Sequence, residues 1–226
     1  MSAPDLLTAL ADARARVAAQ PENPAAWLAL AEILRVADLG ARDRDAAFAL
    51  AGDRWDALCR LAALQPTADN LAGQVQWGLA VAHRAEGRGD HEVALGVRRE
   101  CCLAARVWMY ADPAPERAAE LLLGAASQVA EVAITRGERV EAARSLGLAL
   151  EAAHLLAART GRPEHALRIA GLRLHLATVC APEGVRGHLL AAREVLDRLD
   201  AAGLTHPVQA QVRAEVEARL VGLEGS

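Results

Sequence analysis

The chain has 226 residues, of which 53% are hydrophobic and 24% charged, and a formal net charge of −4. These proportions exclude a disordered chain and fit one compact domain or one continuous array. The acidic balance and the 3% aromatic content argue against nucleic-acid binding, which needs a basic surface to displace counterions and aromatic platforms for bases. Alanine supplies about a quarter of the residues, and only one Phe and one Tyr occur, a composition that favours helices over sheets.

Ser2-Ala3-Pro4-Asp5 reads as an N-cap with an acidic residue three positions on, and Leu6, Leu7, Leu10 and Val17 recur at helical spacing, so a first helix runs to Gln20. Its start has no continuous apolar run with a cleavage site and so no secretory signal, which places the protein in the cytoplasm. Pro21 and Pro24 break the helix and Asn23 can cap a second one, carrying Trp27, Leu30, Ala31 and Leu34. Gly40 to Asp45 is charged. Gly52, Ala57, Leu61 and Leu64 then give the best match to a partner helix, which ends at Pro66.

Thr67 caps a helix over Asn70 to Glu86, Gly87 to Asp90 is a turn, and the following helix carries Ala94, Arg98 and Cys101, with Arg98 where a bulky apolar residue is expected. Asp112-Pro113-Ala114-Pro115 is the sharpest boundary, since proline cannot donate within a helix and biases its predecessor away from one. It reads as a turn between repeats within a single domain spanning 1–226, with a sub-boundary at 112–115 as the alternative. Helices over Glu116 to Arg136 and Glu138 to Arg159 hinge on Gly137. Gly161, Pro182 and Thr205-His206-Pro207 open three more, ending near Cys180, Ala202 and Val221. The most apolar stretch, Leu121 to Ile134, is interrupted by Ser127, Gln128 and Glu131 and is shorter than the roughly 20 residues of a bilayer span, so it reads as a buried helix.

Trp27, Leu30, Ala31 and Leu34 resemble the opening of a tetratricopeptide repeat, and Ala142, Leu146, Ala149 and Leu150 resemble its second helix, where small residues let paired helices approach. The hairpins here are about 45 residues long, against 34 for the family. The resemblance implies an all-α chain of about ten helices, with antiparallel hairpins stacked as a right-handed tetratricopeptide-like solenoid. The polar last helix, with Gln209, Gln211, Arg213, Glu215, Glu217 and Arg219, then reads as its cap.

At 100° per residue, Asn70, Gln74, Trp77, Val81 and Arg84 lie opposite Leu71, Val75, Leu79 and Ala82. Arg117, Glu120, Gly124, Ser127, Gln128, Glu131 and Thr135 form a second polar stripe, and His165, Arg168, Gly171, His175 and Thr178 a third. All three lie on first helices of hairpins, which in tetratricopeptide proteins line a concave groove. The resemblance therefore implies a protein or peptide partner held on Asn70, Gln74, Trp77, Arg84, Glu120, Ser127, Gln128, Glu131, His165, Arg168 and His175.

Catalytic and metal chemistry have little support. Glu120 and Glu131 are about 16 Å apart along a helix, too far for one reacting bond. His165 and His175 are about 15 Å apart and belong to no metal motif. No phosphate-binding glycine motif occurs, and Cys59, Cys101, Cys102 and Cys180 have no CxxC spacing, so they read as reduced core thiols. The Cys101-Cys102 pair near Arg98, Arg99 and Arg106 leaves redox sensing as a weaker reading. The sequence thus points to a non-catalytic adaptor or scaffold without a cofactor or metal. The alternatives are a sensor of a small ligand or signalling peptide that acts through another protein, and a structural homo-oligomer.

Overall fold

The computed structural model describes residues 3–224. Ten helices are present among them, and no strand. Ser2, read as an N-cap, lies outside the described residues.

The chain divides into two compact units at Pro113/Ala114, inside the proline-rich stretch. Unit 1 holds α1 (Ala3–Ala19), α2 (Pro24–Gly40), α3 (Arg44–Leu64), α4 (Ala68–Glu86) and α5 (His91–Ala111). Local chemistry fixes its helix starts. The Asn23 side chain accepts from the Ala25 N–H at 3.0 Å, with Pro24 at the first helical position. Asp43 accepts from the Ala46 N–H at 2.8 Å and Thr67 from the Asn70 N–H at 3.3 Å. The Asp43 cap corrects one expectation: α3 begins at Arg44, so Gly52 lies well inside the helix.

Helices pack as consecutive pairs, α2 with α3 and α4 with α5, while α1 covers α2 and α3 joins α4. Connections of a few residues make such neighbours antiparallel. Leu10, Ala13 and Val17 of α1 meet Ala26, Leu30, Ala31 and Leu34 of α2 and Ala57, Leu58 and Leu61 of α3. Ala51 and Trp55 of α3 join Val81, Ala82 and Ala85 of α4 and Ala94, Val97 and Cys101 of α5. Small residues set the helix spacing. A Cβ on Gly78 would overlap Cys101 Sγ and stand 2.6 Å from Trp55 Nε1. Arg98 is buried after all, because its guanidinium donates to Glu86 Oε1 at 2.5 Å.

Unit 2 holds α6 (Glu116–Thr135), α7 (Arg139–Thr160), α8 (Pro163–Val179), α9 (Pro182–Ala201) and α10 (Gln209–Glu224). Here α6 pairs with α7 and α8 with α9, α7 joins α8, and α10 lies on α9 and α8. Gly137 turns the chain at φ 74°, a left-handed conformation that glycine adopts without cost. Ala142, Leu146, Ala149, Ala153 and Leu156 form the buried face of α7. Leu167, Ala170 and Leu174 pack with Leu189, Ala192 and Leu196 and with Val216 and Leu220 of α10. The last helix is therefore held by its own apolar residues as well as by Arg213, which donates to Asp197 and Asp200 at 2.8 and 2.7 Å.

Helix α6 is, by length and composition, apolar enough to cross a membrane, being longer than the stretch read from the sequence. Its Ala118, Ala119, Leu122, Ala126, Val129 and Ala133 are buried, the pattern of a core helix packed on α7.

Candidate functional site

In unit 2 parts of the polar stripes of α6 and α8 face one cavity of about 560 Å3. Helix α6 contributes Ser127, Ala130, Glu131, Ile134 and Thr135, successive turns of one face, and α8 contributes Arg168, Gly171, Leu172, His175 and Thr178. Leu146 enters from α7, which packs on both. The volume lies within the roughly 300–1,000 Å3 of ligand pockets. At Gly171 an added Cβ would meet nothing within 4 Å, so the middle of the α8 face is open.

Chemically the cavity has an apolar wall, in which Ile134 is 38% exposed and Leu146 and Leu172 lie buried behind it, bounded by charge and hydroxyl. Glu131 and Arg168 are exposed, and neither is in an ion pair among the described residues. Both threonines are already satisfied: the Thr135 hydroxyl donates to the Glu131 carbonyl at 2.9 Å and that of Thr178 to the His175 carbonyl at 2.7 Å. The Ser127 Oγ is different, being shielded from solvent with no hydrogen-bond partner. Without a base within hydrogen-bond reach it is no activated nucleophile, but it is an unused donor and acceptor in the wall of the cavity.

Of the residues expected in unit 2 to meet a partner, Ser127, Glu131, Arg168 and His175 line this cavity. Glu120, Gln128 and His165 do not. Glu120 and Gln128 are exposed elsewhere on α6, and His165 is half-buried with an unpartnered Nε2. The apolar part escaped the stripe reasoning, which sought polar residues. Leu146 was visible only as a packing position and Ile134 only as part of an apolar run.

The α4 residues belong to unit 1, where the structure corrects their expected orientation. Trp77 is packed between helices rather than turned away from them. Its indole N–H donates to the Ala51 carbonyl of α3 at 2.9 Å, and the guanidinium carbons of Arg54 and Arg84 lie 4.0 and 5.4 Å from the ring centre. Helix α4 is buried on two sides because α5 covers one and α3 the other, which a single-face reading cannot register. Arg84 is committed to Asp38, Gln74 donates to Cys59 Sγ at 3.4 Å, and Asn70 Nδ2 donates to the Gln65 carbonyl at 2.8 Å. All four residues thus hold α4 against its surroundings.

A second concavity, of about 710 Å3, lies beside Asp38, Arg44, Asp45, Phe48, His83, Arg84 and Arg88. Two of its cations are already neutralised. Arg84 is held by Asp38, while Arg88 is held by Asp45 and Asp90 and stacks 4.8 Å over Phe48.

The four cysteines are free. Burial pushes the thiols of Cys59 and Cys101 up to about 12, which keeps them protonated and poorly nucleophilic at neutral pH. Among the described residues no group of three His, Cys, Asp or Glu side chains is placed to hold a metal ion.

No protein-family model matches the chain, and no curated protein matches it by sequence. Solved structures of Nro1 are similar in fold. One, described as the hypoxic regulator of sterol synthesis and as a nuclear import adaptor, aligns at TM-score 0.61 and 18% identity over 87% of this chain and 64% of its own. A second, of S. pombe Nro1, aligns at TM-score 0.46 and 14% identity over 87% of this chain and 81% of its own. The chain thus spans less than two thirds of the first neighbour's length, and the likeness is one of all-α fold.

Proposed function

We propose that this chain is a non-catalytic protein-interaction module of the tetratricopeptide-like class, acting in the cytoplasm as an adaptor. Its cavity between α6 and α8 takes a segment of a partner protein. The observation that carries this reading is the composition of that cavity: exposed Ile134, with Leu146 and Leu172 buried behind it, beside the unpaired charges Glu131 and Arg168. An apolar side chain of the partner gains about 25 cal/mol for each Å2 it buries, and the two opposite charges fix the direction of a segment of complementary charge, attracting it at both ends in one orientation and repelling it at both in the other. An adaptor role is also what the Nro1 description states of that protein.

A second reading, sensing of a small ligand, is favoured by the Ser127 hydroxyl, which has no partner and would be satisfied by a bound polar group. One experiment addresses both. A photoreactive amino acid is placed at Thr135, on the cavity, and separately at Glu120, on the same helix outside it, and each protein is irradiated in native cell extract. The adaptor reading expects one peptide segment crosslinked from position 135 and not from 120. Equal labelling at both positions, or none at either, would remove it, and a small molecule carried on position 135 without protein adducts would favour the sensor.

A further inference from the structure

The outward side of α5 in unit 1 is apolar along nearly its whole length. Val93, Leu103, Val107 and Tyr110 are each between 48 and 67% exposed, and Gly96 and Glu100 lie exposed between them. The six recur at intervals of three, four, three, four and three residues, the heptad spacing of a helix-pairing seam. The opposite side of the helix, with Val97, Cys101 and Ala105, is the buried one. Exposed positions on α3 and α7 carry Asp53, Asp56 and Arg60 and Arg144 and His154 instead, so the seam belongs to α5 and does not follow from an alanine-rich composition.

The stripe is complementary to itself when turned end for end. In an antiparallel pair of α5 helices centred between Cys101 and Cys102, Val93 opposes Tyr110 of the second copy, Gly96 opposes Val107 and Glu100 opposes Leu103. Large residues meet small ones in this register: a Cβ on Gly96 would meet nothing within 4 Å, which leaves room for Val107 of the second copy. Charge selects the same arrangement. Glu100 is in no ion pair among the described residues, and here it falls between Arg99 and Arg106 of the second copy, one turn to either side of Leu103. Arg106 is held beside the seam, its guanidinium carbon 6.0 Å from the centre of the Tyr110 ring. A parallel pair would instead set Glu100 against Glu100, like charge against like charge.

We propose that α5 is a self-association surface, through which two copies of this chain pair as an antiparallel, two-fold dimer. A two-fold interface uses one patch twice, and this patch supplies both the apolar layers and the basic residues that Glu100 needs. The two copies together bury on the order of 1,000 Å2, the low end for specific association, so the dimer forms in the micromolar range. It leaves the α6/α8 cavity, which belongs to unit 2, free for its own partner.

The test is sedimentation equilibrium of the intact chain over a micromolar concentration series, with melting temperature as the control for folding. Wild type is expected to pass from monomer to dimer. Leu103→Glu sets a charge against an apolar layer and Glu100→Arg adds a third cation to Arg99 and Arg106, so each should weaken the dimer at least about tenfold while the exposed position leaves the fold intact. Register is read by oxidative crosslinking of Gly96→Cys and Val107→Cys. A mixture of the two variants should give a disulfide-linked dimer more readily than either alone, because the antiparallel pair brings position 96 to position 107. A monomer at every concentration would overturn the proposal and leave the stripe to a helix of another protein. An unweakened dimer in folded Leu103→Glu, or crosslinking of each cysteine variant with itself and not with the other, would overturn it as well.

Discussion

Asp38 and Arg84, 46 residues apart, meet in a two-point ion pair, with Arg84 Nη1 2.7 Å from Asp38 Oδ1 and Nη2 3.0 Å from Oδ2. The Asp38 side chain is 4% exposed and that of Arg84 39%, so one partner is buried and the other reaches water. Truncating the arginine strands a buried carboxylate, whereas truncating an exposed pair costs little. Arg84→Ala is expected to cost about 2 kcal/mol in urea unfolding, and Arg219→Ala, whose pair with Glu215 is more open, less than about 0.5 kcal/mol. Equal losses would mean that the α2–α4 pair contributes nothing beyond a surface contact.

Gly78 sets the spacing of α3, α4 and α5. In an open helix Gly→Ala stabilises by about 1 kcal/mol. Here the new methyl would overlap Cys101 Sγ and Trp55 Nε1, both on packed helices, so Gly78→Ala should instead destabilise by about 1–3 kcal/mol. Combining it with Cys101→Ala should recover part of that loss, as a thermal melt of the three variants will show.

Acidification should weaken the fold before any carboxylate is titrated. Burial first, then Arg173, lowers the pKa of His154 and of His188, so in mild acid the unfolded chain binds protons that the folded chain refuses. Stability is then full above the unfolded value of about 6.5 and falls as the pH drops below it toward the folded values. The urea midpoint should decline between pH 7 and pH 5.5, and the double variant His154→Gln/His188→Gln should be nearly flat over that range. A flat wild-type profile would contradict this.

Cys59 and Cys101, with thiols at about 12, should be silent to a disulfide reagent at pH 7.5 and react at once in denaturant. Rapid native labelling of Cys101 would favour the redox reading of the Cys101-Cys102 pair over that of reduced core thiols.

The helices were legible because their punctuation is local. Asn23, Thr67, Gly137 and the prolines at 163 and 182 act on their own neighbours, and a turn needs nothing from elsewhere. Asp43 was missed as a cap because the charged run around it masked the start of α3. The site divided along the same line. Glu131, Arg168 and His175 could be found from one helix at a time, since these parts of the two stripes face a single cavity, whereas Glu120, Gln128 and His165 of the same stripes lie off it. Trp77 and Arg84 looked the same in sequence, yet they pack on α3 and α2. Whether a polar face meets solvent or another helix depends on tertiary partners that helical periodicity does not encode. Arg98 makes the same point in reverse, as a charge accepted in the core because Glu86 stands at the end of the preceding helix.

The most direct measurement fills the cavity. A Cβ on Gly171 would meet nothing within 4 Å, so Gly171→Trp directs an indole into the cavity that Leu146 and Leu172 line. The peptide segment crosslinked from position 135 is synthesised and titrated into wild type and into this variant, with melting temperature as the control for folding. The account predicts affinity for the wild type and a loss of at least about tenfold, roughly 1.4 kcal/mol, in an equally stable Gly171→Trp. The same dissociation constant in both proteins would contradict it and move the binding surface off the α6/α8 cavity.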